Sequence, residues 1–284
     1  MKYYVIADPH GFYDIMIQTL TEKGFFTDPD PCKLIVCGDL MDRGEGTLEM
    51  QRFMTELLAE GRLIYVRGNH EDLMEQMLWQ IEEGQEFRVL SDGTPVPVHN
   101  GTWQTALRLA GMTEAETKGE RDLLVRRVRK SDYYTTLMPA ALDYFETEHY
   151  VFTHGYIPCH AIQGSTKYMP YKDFYFNANW REASEEDWEN ARWYNGMEFA
   201  CQRNLYLRDK TVVCGHYTAS YGHANIEGEG GESGSLAIYT TFYGQRPYQP
   251  DAPLAVIGLD ARTVVSGFMN CLVLEDGDLT SKQG

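Results

Sequence analysis

Over its first seventy residues the chain alternates short apolar runs with amphipathic stretches, and a candidate metal ligand follows each run. Residues 3–7 read as a strand, and residues 13–22 then set Ile15, Met16 and Leu20 at helical spacing. Residues 34–37 form a second short apolar run. Residues 47–59 read as a helix with Leu48, Met50, Phe53, Met54, Leu57 and Leu58 on one face, stopped by Gly61. Residues 63–66 give a third strand and residues 71–83 a third helix. This order predicts an α/β fold with a mainly parallel sheet and helices on its faces. In such sheets ligands bind beyond the carboxyl ends of the strands. Asp8, Asp39 and Asn69 each follow a strand's last apolar residue, so three turns should converge on one rim.

The pattern breaks over residues 84–140. The string Asp92-Gly93-Thr94-Pro95 signals a loop, and residues 102–110 and 121–137 look helical. This stretch reads as a helical insertion over the rim. Arg126, Arg127 and Arg129 lie close together in it and suit a solvated face, with docking of an acidic partner as the sharper alternative. Strand signals resume before His154 and before His216. Residues 160–205, with Trp180, Trp188 and Trp193, read as a second cap-like insertion, and the Gly/Glu run at 227–234 as a mobile loop. Late strands at 254–259 and 271–274 complete a second sheet packed on the first. The expectation is one domain over residues 1–284: a layered sandwich of two mixed sheets flanked by helices, with two insertions.

At 284 residues the chain can bury a large core. Its net charge of -17 argues against general nucleic-acid binding, which relies on Lys and Arg surfaces. It opens on a strand-like run, not a basic segment before an apolar one, and has no apolar run long enough to span a bilayer. A soluble cytoplasmic protein with no membrane or nucleic-acid partner is expected. The six cysteines include no C-x-x-C pair and read as reduced thiols. Cys37 and Cys214 each end an apolar run beside a putative ligand; a small buried residue is the plainer reading, and a redox-sensitive thiol the sharper one.

The ligand types are those of hard metals, which favour carboxylate and imidazole over thiolate. Asp8 and His10 sit two apart on one turn. Asp39 has two carboxylate oxygens and can bridge two ions. Asn69 adds a neutral amide oxygen, and His154 and His216 arrive from the distant half of the chain. Together they suffice for two ions about 3.5–4 Å apart, a pair able to activate a water and neutralise a phosphate. Manganese is the first candidate, with iron, zinc and nickel also suited to mixed oxygen and nitrogen ligands. His70 adjoins Asn69 and can face the substrate as a proton donor, oriented by Asp42. Arg43 offers a planar fork to phosphate oxygens, with Asn69 beside it on the substrate side. Plainer readings exist for each residue alone: Asp8 as a helix cap, Glu71 as a charge favouring the helix start, which is preferred for it, and the glycines as turn formers. Such readings would have to place every required ligand type after every relevant strand by coincidence.

The strings Asp8-Pro9-His10-Gly11, Gly38-Asp39-Leu40-Met41-Asp42-Arg43-Gly44 and Gly68-Asn69-His70-Glu71 resemble the calcineurin-like metallophosphoesterases. The Asp42-Arg43-Gly44 ending resembles their phosphoprotein phosphatase branch, which holds serine/threonine phosphatases, phage-type phosphatases and symmetrical dinucleoside tetraphosphatases. The match is specific in residues 1–75 and looser at His154, at His216 and around Ile257-Gly258-Leu259-Asp260. The resemblance implies a first metal on Asp8, His10 and Asp39, and a second on Asp39, Asn69, His154 and His216. It implies a proton-donating dyad of His70 and Asp42, Arg43 as phosphate clamp, and direct attack of water without a phosphoenzyme. The chain departs from the family's patterns at Pro9 and at Gly215-His216-Tyr217, where diesterases of the superfamily carry a further histidine; His223 is a distant substitute. A second phosphate-binding arginine is also expected from the later half, with Arg192 first and Arg181 and Arg203 behind it. The expected reaction is hydrolysis of a phosphomonoester, on a phosphoprotein or a small molecule, with symmetrical dinucleoside polyphosphate hydrolysis as the alternative. A non-catalytic metal-binding module is the rival from another class.

Overall fold

A computed structural model describes residues 1–166, 169–227, 235–242 and 254–277. The first three strand–helix units form as the periodicity predicts: β1 (Lys2–Ala7), α1 (Tyr13–Lys23), β2 (Cys32–Cys37), α2 (Thr47–Ala59), β3 (Leu63–Val66) and α3 (Asn69–Glu82). β2 starts two residues before the apolar run, at Cys32. α3 starts two residues before the predicted 71, so Asn69 and His70 lie inside its first turn, at the end where backbone N–H groups point outward.

β1, β2 and β3 pair in parallel, with Val5 opposite Ile35 and Ile35 opposite Ile64. On the free edge β1 takes β11 (Leu272–Glu275) antiparallel, giving the order β11-β1-β2-β3. The last strand thus belongs to the first sheet, a correction to its placement in the second. The second sheet holds β4 (Phe145–Glu146), β5 (Tyr150–Phe152), β8 (Thr211–Cys214), β9 (Tyr239–Phe242) and β10 (Leu254–Gly258) in the order β4-β5-β8-β10-β9. Its core pairs, β5 with β8 and β8 with β10, are parallel.

The two sheets face each other. Alternate residues Tyr3, Val5, Ala7, Ile35, Cys37 and Val66 pack against Phe152, Val213, Ile257 and Leu259. The other parity, Tyr4, Ile6, Leu34, Val36 and Tyr65, packs under the helices. Both faces are therefore buried, which explains why these strands read as continuous apolar runs rather than alternating ones.

The stretch 84–140 forms α4 (Val96–Asn100), α5 (Thr102–Ala110), α6 (Arg121–Val128) and the short α7 (Met138–Ala140), all sharing the helical-side core with α1–α3. The single helix expected over 121–137 breaks after Val128, whose carbonyl takes both the backbone N–H and the hydroxyl of Ser131. The arginines there are not a bare solvated face. Arg129 pairs with Glu82 of α3 at 2.6 Å and stacks on Tyr134, while Arg127 donates to the Ala110 carbonyl. The stretch 160–205 opens on a hairpin of β6 (Cys159–Thr166) and β7 (Met169–Phe176), then α8 (Glu185–Ala191). Beyond Glu227, the Gly/Glu run lies outside the described residues. Among the described residues no helix is long and apolar enough to cross a membrane.

Candidate active site

The rim where the strands end is made of strained turns. Eight non-glycine residues among those described have positive φ: Asp8, His10, Asp39, Asp42, Arg43, His216, Asn204 and Arg262. The first six were all singled out from the sequence by chemistry alone. Such backbone is costly for residues with a Cβ, of order 1–3 kcal/mol each, and concentrates where a side chain must be aimed. The turns interlock through the backbone. His10 N donates to the Asp39 carbonyl at 3.0 Å, Gly11 N to that of Leu40 at 2.9 Å, and Gly44 N to that of His10 at 2.8 Å. The second half of the chain is tied in when His216 N donates to both Asp8 oxygens, at 2.9 and 3.1 Å.

Asp39 is the centre. Its Oδ2 lies 3.6 Å from His10 Nε2 and 3.8 Å from His70 Nε2, and its Oδ1 lies 3.3 Å from His154 Nε2. Two compact donor groups result, His10–Asp39–His70 and Asp39–His154–His216, each with its ligand atoms within 4.8 Å of one another. Asn69 Oδ1 is 2.7 Å from His154 Nε2. Asp8 stands just behind, 4.0 Å from His154 Nδ1. All the sequence-derived ligands are thus brought to one place, and the first group contains His70 where the family resemblance implies Asp8.

Electrostatics mark this as a site short of positive charge. Burial raises the Asp8 carboxyl well above its usual range, and the Asp260 and Asp39 charges raise it further. Asp260, nearly fully buried, is pushed up to about 6 chiefly by burial. Asp39 is the exception. Burial opposes its charge, but His154, His70, His10 and His216 hold it well below the usual carboxylate range. Burial keeps His10 and His154 below the ordinary imidazole value, and burial with its His154 neighbour brings His216 down to about 3. The neutral His154 ring donates from Nδ1 to the Cys37 carbonyl at 3.0 Å. Its Nε2 then carries a lone pair aimed at two oxygens, of Asn69 and Asp39. Acceptors facing acceptors at this range are relieved by a cation, or by turning over the Asn69 amide. Neutral imidazole nitrogens, a charged Asp39 and an amide oxygen converging in a buried pocket fit metal ions.

The other half of the site concerns proton transfer and substrate charge. His70 Nδ1 donates to Asp42 Oδ2 at 2.6 Å. Burial works against a charged His70, but Asp39 and the bond to Asp42 outweigh it and lift the ring's pKa. The same Asp42 oxygen accepts from the Thr102 hydroxyl at 2.8 Å, while Asp42 N donates to Thr105 Oγ1 at 3.1 Å. Arg108 caps the turn through the Gly44 carbonyl at 2.8 Å. The 84–140 stretch therefore braces the dyad from α5. Arg43 donates from Nη1 to His10 Nε2 at 2.7 Å and from Nη2 to His70 Nε2 at 3.2 Å, so its fork lies over the first donor group.

Several expectations need correcting. Glu71 is not merely a favourable charge at a helix start. Fully buried, it accepts from Gly68 N at 2.7 Å, Asp39 N at 3.0 Å and Leu40 N at 3.1 Å, and so clamps the Asp39 turn onto α3. Burial, with Asp39 nearby, raises its carboxyl to about 7. None of the arginines named from the later half is free for a phosphate. Arg192 is buried against Asp72 at 2.6 Å, Asp143 at 2.8 Å and Glu185 at 3.4 Å. Arg181 is held by Glu146 and Arg203 by Glu198. His223 turns to Glu227 at 2.6 Å and the Ala237 carbonyl, outside both donor groups. Cys37 and Cys214 follow the plainer of their two readings: both are buried, and burial raises their thiols as in inert structural cysteines. Trp180 and Trp188 are core residues packed on Tyr144. Trp193 is half-exposed, its ring edge-on to His216 with centroids 5.7 Å apart. Sequence reasoning gave no role to Thr102, Thr105 or Asp260. A short polar residue opening a helix was the one available signal for Thr102.

The model of the calcineurin-like phosphoesterase family matches residues 1–240. The chain belongs to that family. An asymmetrical bis(5'-nucleosyl)-tetraphosphatase from Bacillus velezensis is 30% identical over 143 residues, which cover 48% of this chain and 52% of that protein. A symmetrical bis(5'-nucleosyl)-tetraphosphatase from Klebsiella pneumoniae is 41% identical over 71 residues, 25% of this chain and 24% of that protein. The matched segments thus span about half of the first relative and a quarter of the second. Among solved structures, a cold-active protein tyrosine phosphatase superposes with a TM-score of 0.51 at 16% identity, covering 96% of this chain and 73% of that one. At that identity the likeness concerns the fold alone. It is the fold expected from the sequence, two mixed sheets flanked by helices. The groups around Asp39 offer the residue types that could hold metal ions in a phosphoesterase of this family.

Proposed function

We propose that this metallophosphoesterase hydrolyses dinucleoside polyphosphates, cutting a phosphoanhydride bond with water. The observation that carries the reading is the arrangement around Asp39: two donor groups sharing one carboxylate, the Arg43 fork over one and the half-exposed Trp193 ring against the other. A phosphate chain with a base at its end has use for all three. The order of the two sequence-based alternatives is thereby reversed. Support comes from the tetraphosphatase relatives as well, whose similarity falls in part of the chain.

Asp8, His10 and Asp39 would hold one metal ion. Asp39, Asn69, His154 and His216 would hold the second. When bound, the ions supply Lewis-acid charge for the phosphate oxygens and a more acidic water. The protein's own residues do the rest. With His10 committed to a metal ion, the Arg43 guanidinium that now meets its Nε2 would be free to offer two phosphate oxygens a charge-assisted fork. His70, lifted by Asp39 and Asp42, carries a proton on Nε2 for the departing oxygen, while Asp42 holds Nδ1–H. Thr102 keeps Asp42 pointing inward. No side chain is needed as a nucleophile.

The test is turnover of diadenosine tetraphosphate, a phosphothreonine peptide and p-nitrophenyl phosphate by the manganese-loaded chain. Preferred cleavage of the dinucleotide supports the reading; two ADP mark symmetrical and AMP with ATP asymmetrical scission. Preferred cleavage of the peptide or the monoester returns the monoester reading to first place. Metal binding with no turnover of any of the three leaves the non-catalytic module.

A further inference from the structure

A cleft of about 430 Å³ opens between the exposed side of α3 and the end of α8, and Trp193 on its wall reaches the His216 ring. Its walls carry two tryptophans, Trp79 and Trp193, each half-exposed to solvent. One aromatic side chain left this open is ordinary, but two sharing one cleft make a joint apolar surface that a ligand can cover. Arg67 and Asp72 also line it, joined by an ion pair at 2.7 Å. The side chains of Gln76 and Glu189 line it with no hydrogen bond or ion pair among the described residues, so an amide and a carboxylate are free there.

The geometry points to this cleft as the nucleobase subsite: a purine stacks on Trp193 and Trp79, and its edge meets Gln76 and Glu189. The inference rests on the dinucleotide reading above and names where one nucleoside lies. Three observations argue for a base over other occupants. The cleft adjoins the phosphate-handling residues, since Trp193 touches the His216 ring edge-on. Its size falls within the roughly 300–1,000 Å³ of small-molecule sites. Its lining pairs aromatic faces with a carboxylate and an amide, which accept from and donate to the amino and ring nitrogens of a purine. The unpaired Glu189 carboxylate disfavours phosphate there and leaves it to Arg43 over the first donor group, which orients the nucleotide with its base toward Trp193.

The subsite is read by inhibition of p-nitrophenyl phosphate turnover of the metal-loaded chain, comparing AMP with inorganic phosphate. The parent should bind AMP tighter than phosphate by roughly 5- to 100-fold, the value of stacking one base. Trp193→Ala and Trp79→Ala should each shrink that ratio severalfold. Trp79→Phe should restore most of it, which a merely structural role would not require. The phosphate constant measured alongside shows whether each variant still folds its centre. A parent that binds AMP no tighter than phosphate overturns the subsite, as does an unchanged ratio in both alanine variants. An arginine-flanked phosphothreonine peptide that outcompetes AMP and needs both tryptophans overturns it in favour of a cationic peptide. Failure of the dinucleotide reading is seen separately, as intact diadenosine tetraphosphate under conditions where p-nitrophenyl phosphate is cleaved.

Discussion

His70 Nδ1 lies 2.6 Å from Asp42 Oδ2, and both side chains are buried, Asp42 on the loop after β2 and His70 in the first turn of α3. The bond fixes which ring nitrogen faces the phosphate side: Nε2, toward Arg43 and Asp39. If His70 is the proton donor, His70→Asn should keep the metal content of the parent and lower turnover by roughly 10²–10⁴-fold. If His70 is instead a ligand, metal content falls with it. Metal analysis beside steady-state kinetics separates the two.

Glu71 provides a second expectation. Its two oxygens take three backbone N–H groups, from Gly68, Asp39 and Leu40. In Glu71→Gln one of these oxygens becomes an NH2 that confronts a donor. A buried group left unpaired costs about 1–3 kcal/mol, so the variant should unfold at lower denaturant. Because the disturbed N–H belongs to the Asp39 turn, metal affinity should weaken as well. Unchanged stability and affinity together would show that the clamp is dispensable.

Gly215 sits where the second half of the chain meets Asp8. A Cβ there would run into the Asp8 carboxylate and the Ala7 side chain. Gly215→Ala should cost about 1–3 kcal/mol by overpacking. It should also displace Asp8 and lower metal occupancy, read by thermal unfolding and metal titration.

A pH effect is expected far from the site. The Tyr4 hydroxyl first, and Lys2 next, hold the Asp28 carboxyl down at about 2 from an ordinary 3.8. A carboxyl whose folded value is depressed adds stability above the unfolded value and loses it as pH falls through the folded one. The contribution of Asp28 should therefore be present above about pH 4 and fade toward pH 2. Tyr4→Phe removes the 2.6 Å bond and should shrink that loss, measured as unfolding midpoints of parent and variant across the window.

Much of this was legible beforehand because both signals are local. Strand ends are marked by apolar runs, and a buried parallel sheet needs such runs on both faces. Ligand types after those ends are visible one turn at a time, so Asp8, His10, Asp39 and Asn69 could be placed from spacing. What stayed hidden is contact between remote segments. Thr102 sixty residues after Asp42, and Glu71 thirty-two after Asp39, act through pairings that no periodicity records. Arg192 misled for the same reason. An arginine beside an aromatic residue suits a phosphate, but Asp72 and Asp143 lie too far along the chain to be seen as its partners. The edge position of β11 on β1 likewise depends on the end of the chain returning to its start.

Asp39 is shared by both donor groups, so one variant reads the whole centre. The decisive measurement is metal stoichiometry together with turnover of diadenosine tetraphosphate for the parent and Asp39→Asn, each stripped of metal and reloaded with manganese. The parent should lose activity on stripping, take up two ions per chain and regain turnover, while Asp39→Asn should bind fewer ions and stay inactive. Two ions and full turnover in Asp39→Asn, or undiminished turnover of the stripped parent, would contradict a metal centre built on this carboxylate.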